Sequence, residues 1–127
     1  MKTKLPKDQM DKECIALCEE LNRLPGINTD ESCCGHLKEP YRIFFTCRNL
    51  RSLAIIARAV DRRYCATPMG WRIIAETGDR MPCYNFLLES KGAFDDLEAM
   101  VAQVQTIINN IEYWRGKEFR RYFRRNG

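Results

Sequence analysis

Residues 41–60 read Tyr-Arg-Ile-Phe-Phe-Thr-Cys-Arg-Asn-Leu-Arg-Ser-Leu-Ala-Ile-Ile-Ala-Arg-Ala-Val, and this stretch decides the fold. Its first part is rich in β-branched and aromatic residues, which predicts a strand over 41–47. Asn49 can cap a following helix, because its side chain can accept hydrogen bonds from the first free backbone N–H groups. Apolar residues then recur at helical spacing. We predict a buried stripe of Leu50, Leu53, Ala57, Val60 and Tyr64.

The segments on either side extend this strand–helix unit. Toward the N-terminus, apolar residues at helical spacing predict a helix over 7–23 that ends at Pro25-Gly26, and 27–34 predicts a second strand. Residues 35–40 have the composition of a loop. Toward the C-terminus, 71–77 and 81–89 predict a hairpin around Gly78-Asp79. Both faces of its second strand carry apolar residues, so we expect that strand to lie inside the sheet.

A long final helix is predicted at about 93–123, and it carries two apolar stripes. A helix of this length spans ~45 Å, which exceeds the length of a typical strand. We therefore expect one stripe to pack on the sheet and the other to join a second subunit, giving a homodimer. The first stripe has coiled-coil spacing and contains Phe94, Leu97, Val101, Val104, Ile108 and Ile111; the second contains Met100, Ile107 and Trp114.

These elements give one α+β domain over 1–127, in the order αββαββα, with a four-stranded and mostly antiparallel sheet. The chain has seven cysteines, an odd number that favours free thiols, and we expect no signal peptide. No apolar run has the ~18 residues of a membrane span. We therefore expect a cytoplasmic protein.

Positive charge is concentrated at the C-terminal end. The chain has a net charge of +4, and residues 113–127 hold six basic residues against one acid. Arginines such as Arg115, Arg120 and Arg121 can donate paired hydrogen bonds to phosphate, and the aromatic residues between them can stack on bases. The same pattern fits an amphipathic helix whose aromatic residues pack on a partner subunit. Both interpretations stay open from the residues alone.

A second group of arginines lies on the predicted middle helix. Arg51, Arg58 and Arg62 are spaced seven and four residues apart, and Arg23 and Arg48 can join them. A charged outer helix face is most often solvated surface. A stripe of arginines without acidic partners nevertheless favours a bound anion.

Thiols and the only histidine of the chain lie close together at Cys33, Cys34 and His36. With Cys47 they suggest a zinc site, and a thiol with an imidazole also suggests a nucleophile. Adjacent residues of a strand point to opposite faces, so Cys33 and Cys34 are poorly placed to share one ion. We therefore favour a structural role and predict no metal, no cofactor and no catalytic residues.

Two families resemble parts of this sequence. Residues 26–36, which contain Ser-Cys-Cys-Gly-His, together with 41–47 and 50–60, are similar to the core of the wybutosine-synthesis tRNA methyltransferases. Cys34 and His36 stand where that family has Ser and Arg. This resemblance implies binding of RNA or tRNA.

The whole layout, a sheet followed by a long C-terminal helix, resembles the small phage-encoded Thoeris anti-defence proteins of the first type. That resemblance implies capture, without cleavage, of glycocyclic ADP-ribose or cyclic di- and trinucleotides by dimers or trimers of dimers. It places Arg23 and Arg58 at a cyclic-oligonucleotide site. It places Tyr84, Asn85 or Phe86 with Arg115 at an ADP-ribose site.

The residues and the resemblances together predict a non-enzymatic nucleotide-binding protein that antagonises host anti-phage defence. An RNA-binding protein is the alternative, and a small inhibitor of a host nuclease is a third possibility. The predicted ligand-binding residues are Arg23, Arg58, Arg62, Tyr84, Asn85, Phe86, Arg115, Arg120 and Arg121.

Overall fold

The computed structural model describes residues 11–63, 69–76 and 84–126, without the side chains of 120–126. The chain is α+β, and the predicted order αββαββα is confirmed. Residues 7–10 of the first predicted helix and the predicted Gly78-Asp79 turn lie outside the described residues. The elements are α1 Lys12–Asn22, β1 Ile27–Cys33, β2 Arg42–Cys47, α2 Leu50–Val60, β3 Trp71–Ala75, β4 Asn85–Ser90 and α3 Leu97–Asn126, with one 3₁₀ turn at Gly35–Leu37 between β1 and β2.

The four strands form one antiparallel sheet in the order β1-β2-β4-β3. The prediction that the second hairpin strand lies inside the sheet is confirmed, because β4 pairs with both β2 and β3. β3 and β1 are therefore the edge strands. One face of the sheet supplies Ile43, Phe45 and Leu88 to the core, and all three are fully buried.

The start of α2 follows the prediction, but its buried face does not. The Asn49 side chain accepts hydrogen bonds from the Arg51 and Ser52 N–H groups at 3.0 and 3.3 Å. The predicted stripe is wrong at Leu50, which is 82% exposed, and at the exposed Ala57, but it is confirmed at Val60, which is buried. The Ser52 hydroxyl donates to the Pro25 carbonyl at 2.6 Å, which turns the neighbouring face inward. The buried residues are Ser52, Ile55, Ile56, Ala59 and Val60, and Tyr64 lies outside the described residues.

The two stripes predicted on α3 are not separate in the structure. Met100 and Ile107 of one stripe and Val104 and Ile111 of the other are all buried, whereas Leu97 is half exposed. A straight α-helix has 3.6 residues per turn, so a seven-residue repeat drifts around its surface. α3 packs against both α1 and α2, and the face that it buries crosses from one stripe to the other. Within the described residues, no helix combines the length and apolar character needed to cross a membrane.

Candidate anion-binding site

Two of the predicted ligand-binding arginines are held by one buried carboxylate. Glu20, at the end of α1, has a side chain only 2% exposed. Arg23 donates a hydrogen bond to its Oε2 at 2.6 Å, and the Arg115 guanidinium of α3 lies 3.4 Å from its Oε1. The structure thus brings Arg23 and Arg115 together, but around a carboxylate that already offsets part of their charge.

The predicted arginine stripe of α2 also has protein partners. Arg58 lies over the Trp114 ring, 4.8 Å from its centroid. Arg51 lies 3.9 Å from a Glu118 carboxylate oxygen, so the expectation of a stripe without acidic partners is wrong there. Lys117 lies 5.3 Å from the centre of the Tyr113 ring. We call Arg51, Arg58, Tyr113, Trp114 and Lys117 the basic aromatic surface.

The residues predicted for an ADP-ribose site lie on both faces of the sheet. Phe86 faces the helices and stacks on Phe45 with ring centroids 5.7 Å apart. Asn85 is its neighbour on β4 and is exposed on the opposite face of the sheet. Tyr84 is exposed and carries the Arg48 guanidinium 4.5 Å above its ring, whereas Arg115 is paired with Glu20. Because Asn85 and Phe86 point to opposite faces of the sheet, they cannot both line one site with Arg115.

Arg62 lines a cleft of about 410 Å³ between the end of α2 and β3. Arg72 of β3 and Lys91, which follows β4, also line this cleft. We call Arg62, Arg72 and Lys91, with the adjacent Asp61 and Trp71, the cation cleft.

The backbone positions these cations. Asp61 ends α2 with an extended conformation, which turns the chain out of the helix just before Arg62. The Lys91 N–H donates to the Gly70 carbonyl at 2.8 Å and so fixes the end of β4 beside the start of β3. Gly70 leaves room for the lysine, because a Cβ there would lie 2.9 Å from the Lys91 Cδ.

The charges of the cleft are only partly offset by protein groups. Asp61 is engaged by Arg63, whose Nη2 donates to its carboxylate at 2.8 Å. Arg72 donates to the Glu89 Oε1 at 2.7 Å. Within the part of the chain that the structure describes, Arg62 and Lys91 form no ion pair. The cleft therefore holds excess positive charge.

Glu89 itself serves two arginines. Its Oε2 accepts a hydrogen bond from Arg42 at 2.7 Å on one side, and Arg72 binds its other oxygen. Burial raises the pKa of Glu89, but the hydrogen bonds from Arg42 and Arg72 outweigh burial, so the pKa lies below its ordinary value. A charged Glu89 anchors Arg72 at the rim of the cleft.

The free edge of β3 adds backbone donors. The Glu76 N–H donates to the Asn85 carbonyl, and the Gly70 carbonyl accepts a hydrogen bond from the Lys91 N–H. The backbone groups of the even-numbered residues of this strand therefore face β4. In an antiparallel pair the bonded positions alternate, and the N–H groups of Trp71 and Ile73 therefore point away from β4. Both residues line the cleft. Cationic side chains beside outward backbone N–H groups are an arrangement that binds anions.

Sequence reasoning found Arg62 but missed Arg72 and Lys91. Arg72 follows Trp71, the first residue of β3, and Lys91 follows Ser90, the last residue of β4. Only the register that pairs Trp71 with Ser90 brings the two cations together. The side chains of Arg120 and Arg121, also predicted as ligand-binding, lie outside the described residues. Comparison with family models, with curated proteins and with solved structures gives no match to this chain.

Proposed function

We propose that this chain binds a small phosphate-bearing nucleotide in the cation cleft and holds it without cleaving it. The observation that carries this proposal is the cleft itself, where Arg62 and Lys91 have no acidic partner within the described residues and Arg72 completes a set of three cations. A volume of about 410 Å³ lies within the range of ~300–1,000 Å³ found for ligand pockets.

The lining of the cleft favours binding over chemistry. Guanidinium and ammonium groups donate hydrogen bonds to phosphate oxygens, and the β3 edge adds neutral donors. Asp61 is the carboxylate in the lining, and its bonds to Arg63 leave it poorly placed to act as a base. We therefore expect the ligand to leave the protein unchanged.

The resemblance to the Thoeris anti-defence proteins suggests which nucleotide to test first. It would make the ligand a cyclic immune signal, namely glycocyclic ADP-ribose or a cyclic di- or trinucleotide, and the biological outcome its sequestration from host defence. Such a role belongs in the host cytoplasm. All five described cysteines are free thiols, which fits that compartment: Cys14, Cys18, Cys33, Cys34 and Cys47.

Two matched double variants test the cleft. Arg62→Gln/Lys91→Gln removes one arginine and one lysine charge from the cleft, and Arg58→Gln/Lys117→Gln removes the same charges from the basic aromatic surface. Calorimetric titration with ADP-ribose, glycocyclic ADP-ribose and cyclic dinucleotides gives the affinities. Because charge-assisted hydrogen bonds contribute ~1.5–3 kcal/mol each, we expect the loss of two cations to weaken binding by at least about 100-fold.

The variant on the basic aromatic surface serves as the control, and its affinity should stay within about threefold of the parent protein. Mass spectrometry of the released ligand should return it intact. If both variants lose affinity equally, net charge rather than the cleft determines binding. If no nucleotide of the panel binds, the proposed function is wrong.

RNA binding at the basic aromatic surface is the second candidate. Trp114 and Tyr113 lie side by side there with ring centroids 5.1 Å apart, and Arg58 and Lys117 contribute positive charge beside them. Such a surface would bind tRNA with an affinity that falls steeply with salt, unlike a nucleotide that contacts few cations. Loss of tRNA binding in Arg58→Gln/Lys117→Gln alone would favour this candidate.

We also propose that two copies pair through α3 and that these dimers can assemble into a trimer of dimers. Leu97 and Val101 are 50% and 53% exposed on this helix, beside an apolar groove of about 280 Å³ between α1 and α3. We expect these residues to meet a second copy. Light scattering that gives the mass of one chain at micromolar concentration would contradict this proposal.

A further inference from the structure

A group of metal-ligating side chains lies at the edge of the sheet opposite the cation cleft. Asp11, Cys33 and His36 each offer one donor atom, and these three atoms lie within 4.8 Å of one another. The His36 Nε2 is 3.6 Å from the Asp11 Oδ2. The Cys34 Sγ lies 3.6 Å from the other ring nitrogen, Nδ1. Two thiols and an imidazole from residues 33–36 thus lie beside the carboxylate of Asp11, which directly precedes α1.

The backbone at residues 35–37 adopts a left-handed conformation that residues other than glycine rarely adopt. His36 and Leu37 have φ angles of 52° and 65°, the left-handed region that non-glycine residues rarely adopt. Gly35 precedes them with a φ of 80°, and a Cβ at this position would lie 2.8 Å from the Pro40 carbonyl oxygen. Strained backbone conformations are often found where they position a functional side chain. Here the strained turn places the His36 imidazole beside Asp11.

The objection to adjacent cysteines does not apply in this structure. β1 ends at Cys33, and Cys34 has a helical conformation with φ −74° and ψ −5°, so the two residues do not alternate across a strand. Asp11 accepts a hydrogen bond from the Cys34 N–H at 2.9 Å, which ties the end of the strand to the start of α1. Cys47 is not a possible ligand, because it pairs with Ile27 at the far end of β1, about 20 Å away.

We propose that Asp11, Cys33 and His36 bind one zinc ion. Carboxylate oxygen, thiolate and imidazole are the ligands that Zn²⁺ prefers, at bond lengths of ~2.0–2.3 Å, so donors already this close need only a small contraction. Three protein ligands leave a fourth position for water, and the Cys34 thiol, 3.6 Å from the His36 Nδ1, lies outside this group of three. His36 is 67% exposed, so the ion can enter from solvent.

The site is independent of the proposed nucleotide site. Cys33 lies on edge strand β1, and the cation cleft lies along the opposite edge strand β3, about three strand spacings away. Failure of one proposal therefore leaves the other intact.

Cobalt absorption tests the zinc site directly, because Co²⁺ takes the same ligands and is coloured. Reduced, metal-stripped protein should bind one Co²⁺ per chain, with the thiolate charge-transfer band and the strong visible bands of tetrahedral cobalt. One equivalent of Zn²⁺ should remove both. Cys33→Ser should lose the charge-transfer band, and His36→Gln should weaken binding at least tenfold.

Cys47→Ser is the control, since it removes a buried thiol from the far end of the same sheet and should leave the spectrum unchanged. His36→Gln changes an exposed side chain and keeps the experiment decisive if Cys33→Ser does not fold. The proposal is overturned if the parent protein gives no cobalt spectrum, or if His36→Gln binds cobalt as tightly as the parent.

Discussion

The basic aromatic surface and the cation cleft carry similar residues but differ in what their cations contact. On and beside the basic aromatic surface, arginines meet carboxylates or rings of the protein, as Arg115 meets Glu20 and Arg58 meets Trp114. In the cleft, Arg62 and Lys91 contact neither a carboxylate nor an aromatic ring among the described residues. Among the described cations, those of the basic aromatic surface thus have more of their charge engaged by the protein than Arg62 and Lys91. The partners of each cation, and not the number of cations, indicate where a ligand can add stabilisation.

The largest effect that this comparison predicts is on stability, at Glu20. Replacement of Glu20 by Gln keeps the shape of the side chain but leaves Arg23 and Arg115 without their shared carboxylate. Breaking a fully buried ion pair costs ~3–5 kcal/mol, and the partial exposure of both arginines lowers the expected loss to about 1–3 kcal/mol. Urea unfolding measures the change in the free energy of unfolding.

Glu112→Gln is the matched control, because Glu112 is exposed on α3 and the same chemical change there should alter stability by less than about 0.5 kcal/mol. Nucleotide affinity should stay unchanged in Glu20→Gln. A stable Glu20→Gln protein that binds nucleotide more tightly would show that Arg23 and Arg115 are ligand-binding residues after all.

A smaller effect is expected at Glu89, and it depends on pH. The pKa of Glu89 is lowered in the folded protein, so its ionisation stabilises the fold above the ordinary value near 4.5. This contribution is lost as the pH falls through the lower folded pKa. At pH 7 Glu89→Gln should cost about 1–2 kcal/mol, a value reduced from that of a buried pair because both arginines are partly exposed.

Unfolding measured from pH 7 down to pH 3 checks the sign. The difference in the free energy of unfolding between the parent and Glu89→Gln should shrink below about pH 4.5. A difference that stays constant over this range would mean that the arginines do not lower the pKa of Glu89 in the folded protein. The rim of the cleft would then lack the anchored Arg72 described above.

Much of the fold followed from local patterns. Residue type and the alternation of apolar residues can be read from the sequence itself. They were enough to predict the strand at 41–47, the Asn49 cap and the position of β4 inside the sheet. The buried face of α2 did not follow, because Leu50 precedes the first full turn and the Ser52 hydroxyl is satisfied by Pro25, a contact between distant residues. The prediction of two separate stripes on α3 was wrong for a similar reason, because the stripes merge into one buried face only when the helix packs against α1 and α2.

The candidate sites were less predictable than the fold. Arg62 was selected for its charge, but Arg72 and Lys91 become neighbours only through the register of β3 and β4. The zinc cluster was rejected from an alternation rule that does not hold where β1 has already ended, and Asp11 joins it from a different element. In each case the missing information is the position of one segment against another.

The two tryptophans of the chain allow the central claim to be tested in one spectrum. Trp71 lines the cation cleft and Trp114 belongs to the basic aromatic surface, so their indole N–H signals report on one region each. A proton–nitrogen NMR titration with a cyclic dinucleotide, with the signals assigned through Trp114→Phe, should move the Trp71 signal and leave that of Trp114 in place. Movement of the Trp114 signal alone would place the ligand on the other surface and contradict the account.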